Sequence, residues 1–126
     1  MSWMLEWADS ELAGIERQGA DLHLRFSAAR LHQGEQTRYA RGLVLVLEQA
    51  EPEGDAAALA GLFGVLEAGE LQVDGQRQRR VALGQCLRTA LRLELQLRCG
   101  PSWWARAQAL SLPPLQGLTL HEDWAC

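Results

Sequence analysis

Few side chains in this 126-residue chain are of types and spacings that do chemistry. His121, Glu122 and Asp123 set an imidazole beside two carboxylates, the groups that serve general acid–base catalysis or hold a metal. Successive residues of an extended chain point to opposite faces, so the three diverge, and a solvated chain end is the favoured reading. Ser2, Ser10, Ser27, Ser102 and Ser111 lie in no Gly-x-Ser-x-Gly setting, and His23, His32 and His121 are scattered. A nucleophile, base and oxyanion site are therefore not grouped, and the chain is expected to be non-enzymatic. Cys86, Cys99 and Cys126 form no Cys-x-x-Cys, so no metal is expected. Cys86 and Cys99 read as buried small hydrophobes. The glycines form no Gly-x-x-x-x-Gly-Lys and no Gly-x-Gly-x-x-Gly, so no nucleotide cofactor is expected. Lysine is absent altogether, which excludes Schiff-base chemistry.

Two surfaces remain as candidates for recognition. Gln76-Arg77-Gln78-Arg79-Arg80 is the one basic cluster, and Arg88, Arg92 and Arg98 extend it if neighbouring strands bring them together. It lacks interleaved aromatic residues for base stacking, so nucleic acid is disfavoured. A solvated hairpin face is the plainer reading. The five tryptophans are the second feature: Trp3, Trp7, Trp103, Trp104 and Trp124 lie near the two ends and the Gly100-Pro101-Ser102 turn. They are expected to cluster where the ends meet, mainly in core packing. Adjacent Trp103 and Trp104 on a strand face opposite ways, so at most one joins that core and the other is capped or exposed. Exposed tryptophan anchors protein partners or sugars. The candidate partner surface is thus Trp103, Trp104, Arg77, Arg79 and Arg80.

Strands must position these groups. From Thr89 to Cys99, Leu91, Leu93, Leu95 and Leu97 alternate with Arg92, Glu94, Gln96 and Arg98, a period of two that overrides the helical preference of these residue types. Glu11 to Arg17 and Asp21 to Ala29 read as a hairpin about Gln18-Gly19-Ala20, with Leu22, Leu24 and Phe26 inward and His23 and Arg25 outward. After a polar break at His32 to Gln36, the run Tyr39 to Glu48 has Leu43, Leu45 and Leu47 on one face and Val44 and Val46 on the other, as in a covered central strand. Gly69 to Val73 and Arg77 to Leu83 flank Asp74-Gly75, a type I′ turn signal. Trp104 to Leu112 reads as a strand stopped by Pro113-Pro114, with a short strand at Leu118 to His121. Asp55 before Ala56-Ala57-Ala58-Leu59 is placed to cap the one short helix. The expected fold is a single mainly β domain over residues 1–126, an antiparallel sandwich or open barrel of about seven or eight strands.

Composition bounds the partners. Twelve basic against sixteen acidic residues give a net charge of −4, which opposes an electrostatic grip on nucleic acid or anionic membrane. The strongly apolar run Leu43 to Leu47 is far short of the about 20 residues that span a bilayer. The opening residues carry Glu6 and Asp9 where a secretory signal needs an apolar stretch, and the cysteines suit a reducing compartment. A cytoplasmic location is expected. The lack of lysine and asparagine, with one isoleucine, Ile15, and one tyrosine, Tyr39, points to GC-rich codons and a bacterial source.

The stretch Trp7-Ala8-Asp9-Ser10-Glu11-Leu12, with Ile15, Gly19, Asp21, Leu22, Leu24 and Phe26, resembles the opening of small bacterial β-proteins, some of them immunity-type proteins of polymorphic toxin systems. In these an Asp-Ser or His-Asp pair precedes a first strand and a glycine turn. The resemblance covers about the first fifth of the chain. It implies a cytoplasmic protein that binds another protein and carries over no catalytic residue. The expected function is a protein-binding module, acting on a partner or its own copy. The alternative is a small-molecule or carbohydrate binder using a cavity or tryptophan surface of the sheet.

Overall fold

The computed structural model describes residues 2–53, 59 and 61–122. Its chain is almost entirely β, and all its strand pairs are antiparallel. Thirteen strands form it, more than the sequence pattern indicates, because several long runs are cut where the chain turns a corner. They are β1 (Met4–Gln18), β2 (Asp21–Gln33), β3 (Gln36–Ala40), β4 (Val44–Glu48), β5 (Glu51–Glu53), β6 (Gly64–Val73), β7 (Gln76–Gln78), β8 (Arg80–Ala82), β9 (Cys86–Leu87), β10 (Leu91–Leu97), β11 (Ser102–Ala107), β12 (Ala109–Ser111) and β13 (Leu120–His121). The hydrogen-bonded order is β5-β11-β10-β6-β1-β2-β4-β12-β9, with β3, β7, β8 and β13 attached beside this path.

The first hairpin forms as expected but is longer, since β1 starts at Met4 and β2 runs on to Gln33. Its turn uses Gly19 at a φ of 64°. Leu22, Leu24 and Phe26 are buried, while His23 is half-buried and Arg25 exposed. The run Tyr39 to Glu48 falls into two strands, yet both lie along β2 in one register: Ala29 faces Ala40 and Arg25 faces Val44. Across the interruption the Phe26 N–H donates to Leu43 and the Gly42 N–H donates to Phe26. Leu43, Leu45 and Leu47 are fully buried, with Val44 and Val46 half-buried on the other face.

Asp74 and Gly75 both have positive φ, 51° and 78°, and close the tight β6–β7 hairpin, the geometry a type I′ turn demands. Beyond it the expected strand Arg77 to Leu83 divides. Gln76 to Gln78 pair with β6, whereas Arg80 to Ala82 pair with β1. Trp104 to Leu112 divides in the same way: β11 pairs with β10, while β12 pairs with β4 and β9. Such corners let a strand pass from one half of a folded sheet to the other. At the second corner the inward phase slips by one residue, from Trp103, Ala105 and Ala107 to Leu110 and Leu112. The short terminal strand forms and pairs with β3. Of the expected helix, residues 55–58 lie outside the described residues. Among those described, no helix is long and apolar enough to cross a membrane.

Both halves face one core. Leu91, Leu93, Leu95 and Leu97 of β10, Leu66 and Leu71 of β6 and Trp103 of β11 join Leu5, Trp7, Leu24, Phe26, Leu31 and Leu45 from the other half in one cluster. Trp7 is 1% exposed and Trp103 5%. Trp103 faces Leu95, which faces Gly69 on the next strand, and Trp7 lies against Gly69. The expected tryptophan cluster is thus a row through the core. Trp3 packs half-buried on its edge, and Trp124 lies outside the described residues. Cys86 and Cys99, expected to be buried, are exposed. Cys86 sits on an edge strand facing Ser111 and Cys99 in the turn after β10, so neither faces the core.

A Cβ at position 69 would lie 2.4 Å from Trp7 Cγ and 3.0 Å from a Leu95 methyl, closer than packed carbon atoms approach. Gly69→Ala is expected to lower stability by about 1–3 kcal/mol through overpacking. Urea unfolding followed by circular dichroism checks this, and an unchanged midpoint would show that the indole has room to move.

Candidate functional site

The outward face of β6, β10, β11 and β5 carries the candidate partner residues in two rows. Glu94 stands between Glu70 and Trp104, with Glu53 beyond Trp104. In the adjacent row Arg92 stands between Gln72 and Arg106, with Arg77 beyond Gln72 and Glu51 beyond Arg106. An arginine row thus runs beside an acidic row, and the two cross-link diagonally. Arg77 Nε is 3.3 Å from Glu70, Arg92 Nε 3.5 Å from Glu53 and Arg106 Nε 3.1 Å from Glu53. The Arg92 guanidinium lies over the Trp104 ring, 5.7 Å from its centroid, within cation–π range. Such partly exposed pairs contribute little stability each, but they set which charges remain free.

Among the sequence candidates, Trp104 is half-buried on this face, while Trp103 points into the core and has no part in a surface. The alternation that separates them is the one expected. Arg77, Arg79 and Arg80 are exposed but do not act as one patch. Arg77 belongs to the arginine row, Arg79 sits at the corner between β7 and β8, and Arg80 NH2 turns to Glu6, 3.8 Å away. Arg92 stands across Gln72 from Arg77. Arg88 pairs instead with Glu48, 3.4 Å away. Arg98 is held between Asp9 and Glu67. Its hydrogen bond to Asp9, then that to Glu67, raises the guanidinium pKa above its ordinary value.

Beside this face lies a groove that the sequence pattern does not show. β1 and β6 pair only at Glu11 with Val65 and Leu12 with Gly64, and toward the start of β1 its partner becomes β8. Where the strands part, a cavity of about 440 Å³ opens, lined by Trp7, Ala8, Ala68, Gly69 and Gln96 and by the charged Glu6, Glu70, Glu94 and Arg79. The bulge in β1 makes the parting possible. Glu6 faces Arg30 and Glu11 faces Ala28, so four residues of β1 lie opposite one of β2. Asp9 takes a φ of 68° within this bulge. Ser10 is fully buried there; its Oγ donates to the Glu6 carbonyl at 2.6 Å and accepts from the Arg30 N–H at 2.8 Å. One hydroxyl thereby replaces the missing ladder bonds. Asp9, turned outward, pairs with Arg30 at 3.0 Å as well as with Arg98.

Glu6 is fixed from behind. Its carboxylate pairs with His32 Nε2, and His32 Nδ1 lies 3.1 Å from Thr37 Oγ1 on the neighbouring strand. A hydroxyl, imidazole and carboxylate in series is the order found in nucleophilic catalysis. Here the groove reaches Glu6 but is not lined by His32 or Thr37, so the series orients Glu6 at the groove. The signal available for the groove was Gly69: a glycine inside an alternating strand marks a close approach, and reading it as a strand end hides it. His121 is half-buried on β13, and Glu122 is exposed, 3.9 Å from Arg38. Asp123 lies outside the described residues. No three His, Cys, Asp or Glu side chains gather as a metal-binding group among the described residues.

Comparison with family models, with curated proteins and with solved structures gives no significant match. The functional reading therefore rests on this geometry.

Ser10→Ala is expected to lower stability by about 1–3 kcal/mol, because it strips partners from a partly buried carbonyl and a partly buried N–H. Denaturant unfolding measures the loss. Faster amide exchange at Arg30 in the same variant would locate it at the bulge, and protection equal to the parent's there would contradict this role of the hydroxyl.

Proposed function

We propose that this chain is a non-enzymatic protein-binding module whose interface is the outward face of β6, β10, β11 and β5, centred on Trp104. The observation that carries the reading is a half-buried tryptophan placed outward on a strand, with Arg92 over its ring and charged residues around it. Tryptophan and arginine supply the anchors of protein interfaces, ringed by polar groups that exclude water. Arg77 and Arg79 lie at the rim of this face, and Arg80 is occupied by Glu6. The reading agrees with the resemblance of residues 7–26 to immunity-type proteins. It places the protein in the cytoplasm of a bacterium, bound to a partner or to its own copy. The second reading, a small-molecule binder, is favoured by the groove beside Gly69, whose volume of about 440 Å³ falls in the range of ligand sites. A sugar platform on Trp104 is disfavoured because Arg92 covers that ring.

The test is capture of partners from lysate of the source organism by the tagged protein, alongside sedimentation for self-association. Trp104→Ala should remove a near-stoichiometric partner, or the self-association, while leaving thermal unfolding within a few degrees of the parent. Phe63, the one large hydrophobic residue that is mostly exposed among those described, supplies the control. Association lost in Phe63→Ala and retained in Trp104→Ala would move the interface away from this face and overturn the proposal.

A further inference from the structure

The groove between β1 and β6 has a charge pattern that narrows its ligand. Four ionisable side chains line it, and two of them are already matched. Glu6 is paired with His32 and Arg80, and Glu70 with Arg77. The other two, Glu94 and Arg79, have no hydrogen bond or ion pair among the described residues. What remains available to a ligand is one carboxylate and one guanidinium, beside the neutral amide of Gln96.

Their placement keeps them apart. Glu94 faces Glu70 directly across the β10–β6 ladder, and like charges so opposed disfavour the pairing. Arg77 answers Glu70 alone, so a cation near Glu94 would relieve the repulsion. Arg79 follows Gln78, the partner of Leu71, and so stands on the other side of Glu70 from Glu94. Two strand spacings amount to about 10 Å, too far for a direct ion pair without both side chains bending inward. Between them the lining is Ala8, Ala68, Gly69 and Gln96, with the buried indole of Trp7 beneath Gly69. That indole has a buried N–H without an acceptor.

We propose that this groove binds a small zwitterion of the amino-acid type, its ammonium at Glu94 and its carboxylate at Arg79. The proposal rests on the second reading above, that the groove admits a small molecule at all. A guanidinium grips a carboxylate through paired donors, and a carboxylate beside a second carboxylate favours a compact ammonium over a bulkier neutral group. A simple anion would meet Glu6, Glu70 and Glu94, and a simple cation would leave Arg79 unanswered. Only a ligand carrying both charges uses both free groups.

The experiment titrates the full chain with L-alanine, acetate and ethylammonium at constant ionic strength, following the indole N–H resonances by NMR. Saturable shifts at Trp7 with alanine, and at least ten-fold weaker effects of acetate and of ethylammonium, are expected. Arg79→Gln and Glu94→Gln, both at exposed positions, should each weaken alanine binding about ten- to hundred-fold, the loss of one charge-assisted contact, with unchanged far-ultraviolet dichroism. Ethylammonium binding as tightly as alanine and unaffected by Arg79→Gln would make this a cation site. Acetate binding as tightly and unaffected by Glu94→Gln would make it an anion site. Either result overturns the zwitterion while keeping the groove as a ligand site. No response to any of the three overturns the small-molecule reading itself.

Discussion

A side chain at position 69 and the indole of Trp7 need the same space, since a Cβ there would lie 2.4 Å from the indole. Much of the molecule's individuality follows from how that conflict is resolved. Gly69 yields, and Trp7 enters the core in line with Leu95 and Trp103. Beside this contact β1 and β6 pair only at Glu11 and Leu12. The freed end of β1 is taken up by β8. Its extra residues are absorbed in a bulge closed by the Ser10 hydroxyl. Groove, bulge and the corner at Arg79 all adjoin this one contact.

The corners also explain how thirteen short and long strands enclose a single core. Chain that crosses from one half of the sheet to the other breaks its ladder and shifts its inward–outward phase, so Ala109 and Leu110 are buried in succession after Gln108. At Gln108 the N–H donates to the Glu48 carbonyl, which keeps the backbone satisfied through the break. The ends of the path are β5 and β9, three and two residues long. Short edge strands, one with Pro52 in it, offer little to an unwanted strand partner.

This division marks how far the sequence is legible. Leu91 to Leu97, the Gly19 and Asp74-Gly75 turns, and the leucine face of the Tyr39 to Glu48 run are local patterns, and each appears where periodicity and turn chemistry put it. The opposed faces of Trp103 and Trp104 are legible for the same reason. Corners at Arg79 and Gln108 are decided by distant partners, β1 and β4, which no local window contains. The cysteines illustrate the opposite error: their usual preference for burial is overridden by an edge strand and a turn. Glu6, Glu70, Glu94 and Arg79 share a groove only because β1 leaves β6 at Gly69, and in the sequence they are ordinary charges on polar faces.

Charge pairing gives the outward face and the groove different characters. On the face around Trp104 the charges of Arg77, Arg92 and Arg106 are met by Glu53 and Glu70, so a partner arriving there meets a surface already neutralised in part. Affinity for such a face comes from burying the tryptophan and the arginine stems, while the charge lattice sets orientation and rejects mismatched partners. In the groove the balance is reversed. Small residues offer modest apolar area, and the two unmatched charges, both exposed, are what a ligand would have to answer. Broad contact with a protein and narrow contact with a small charged molecule thus make separate demands. Glu70 and Glu94 meet both, lying in the row beside Trp104 and in the lining of the groove. Were the proposed ligand to occupy the groove, it would change the charge that the adjoining face presents through these two carboxylates.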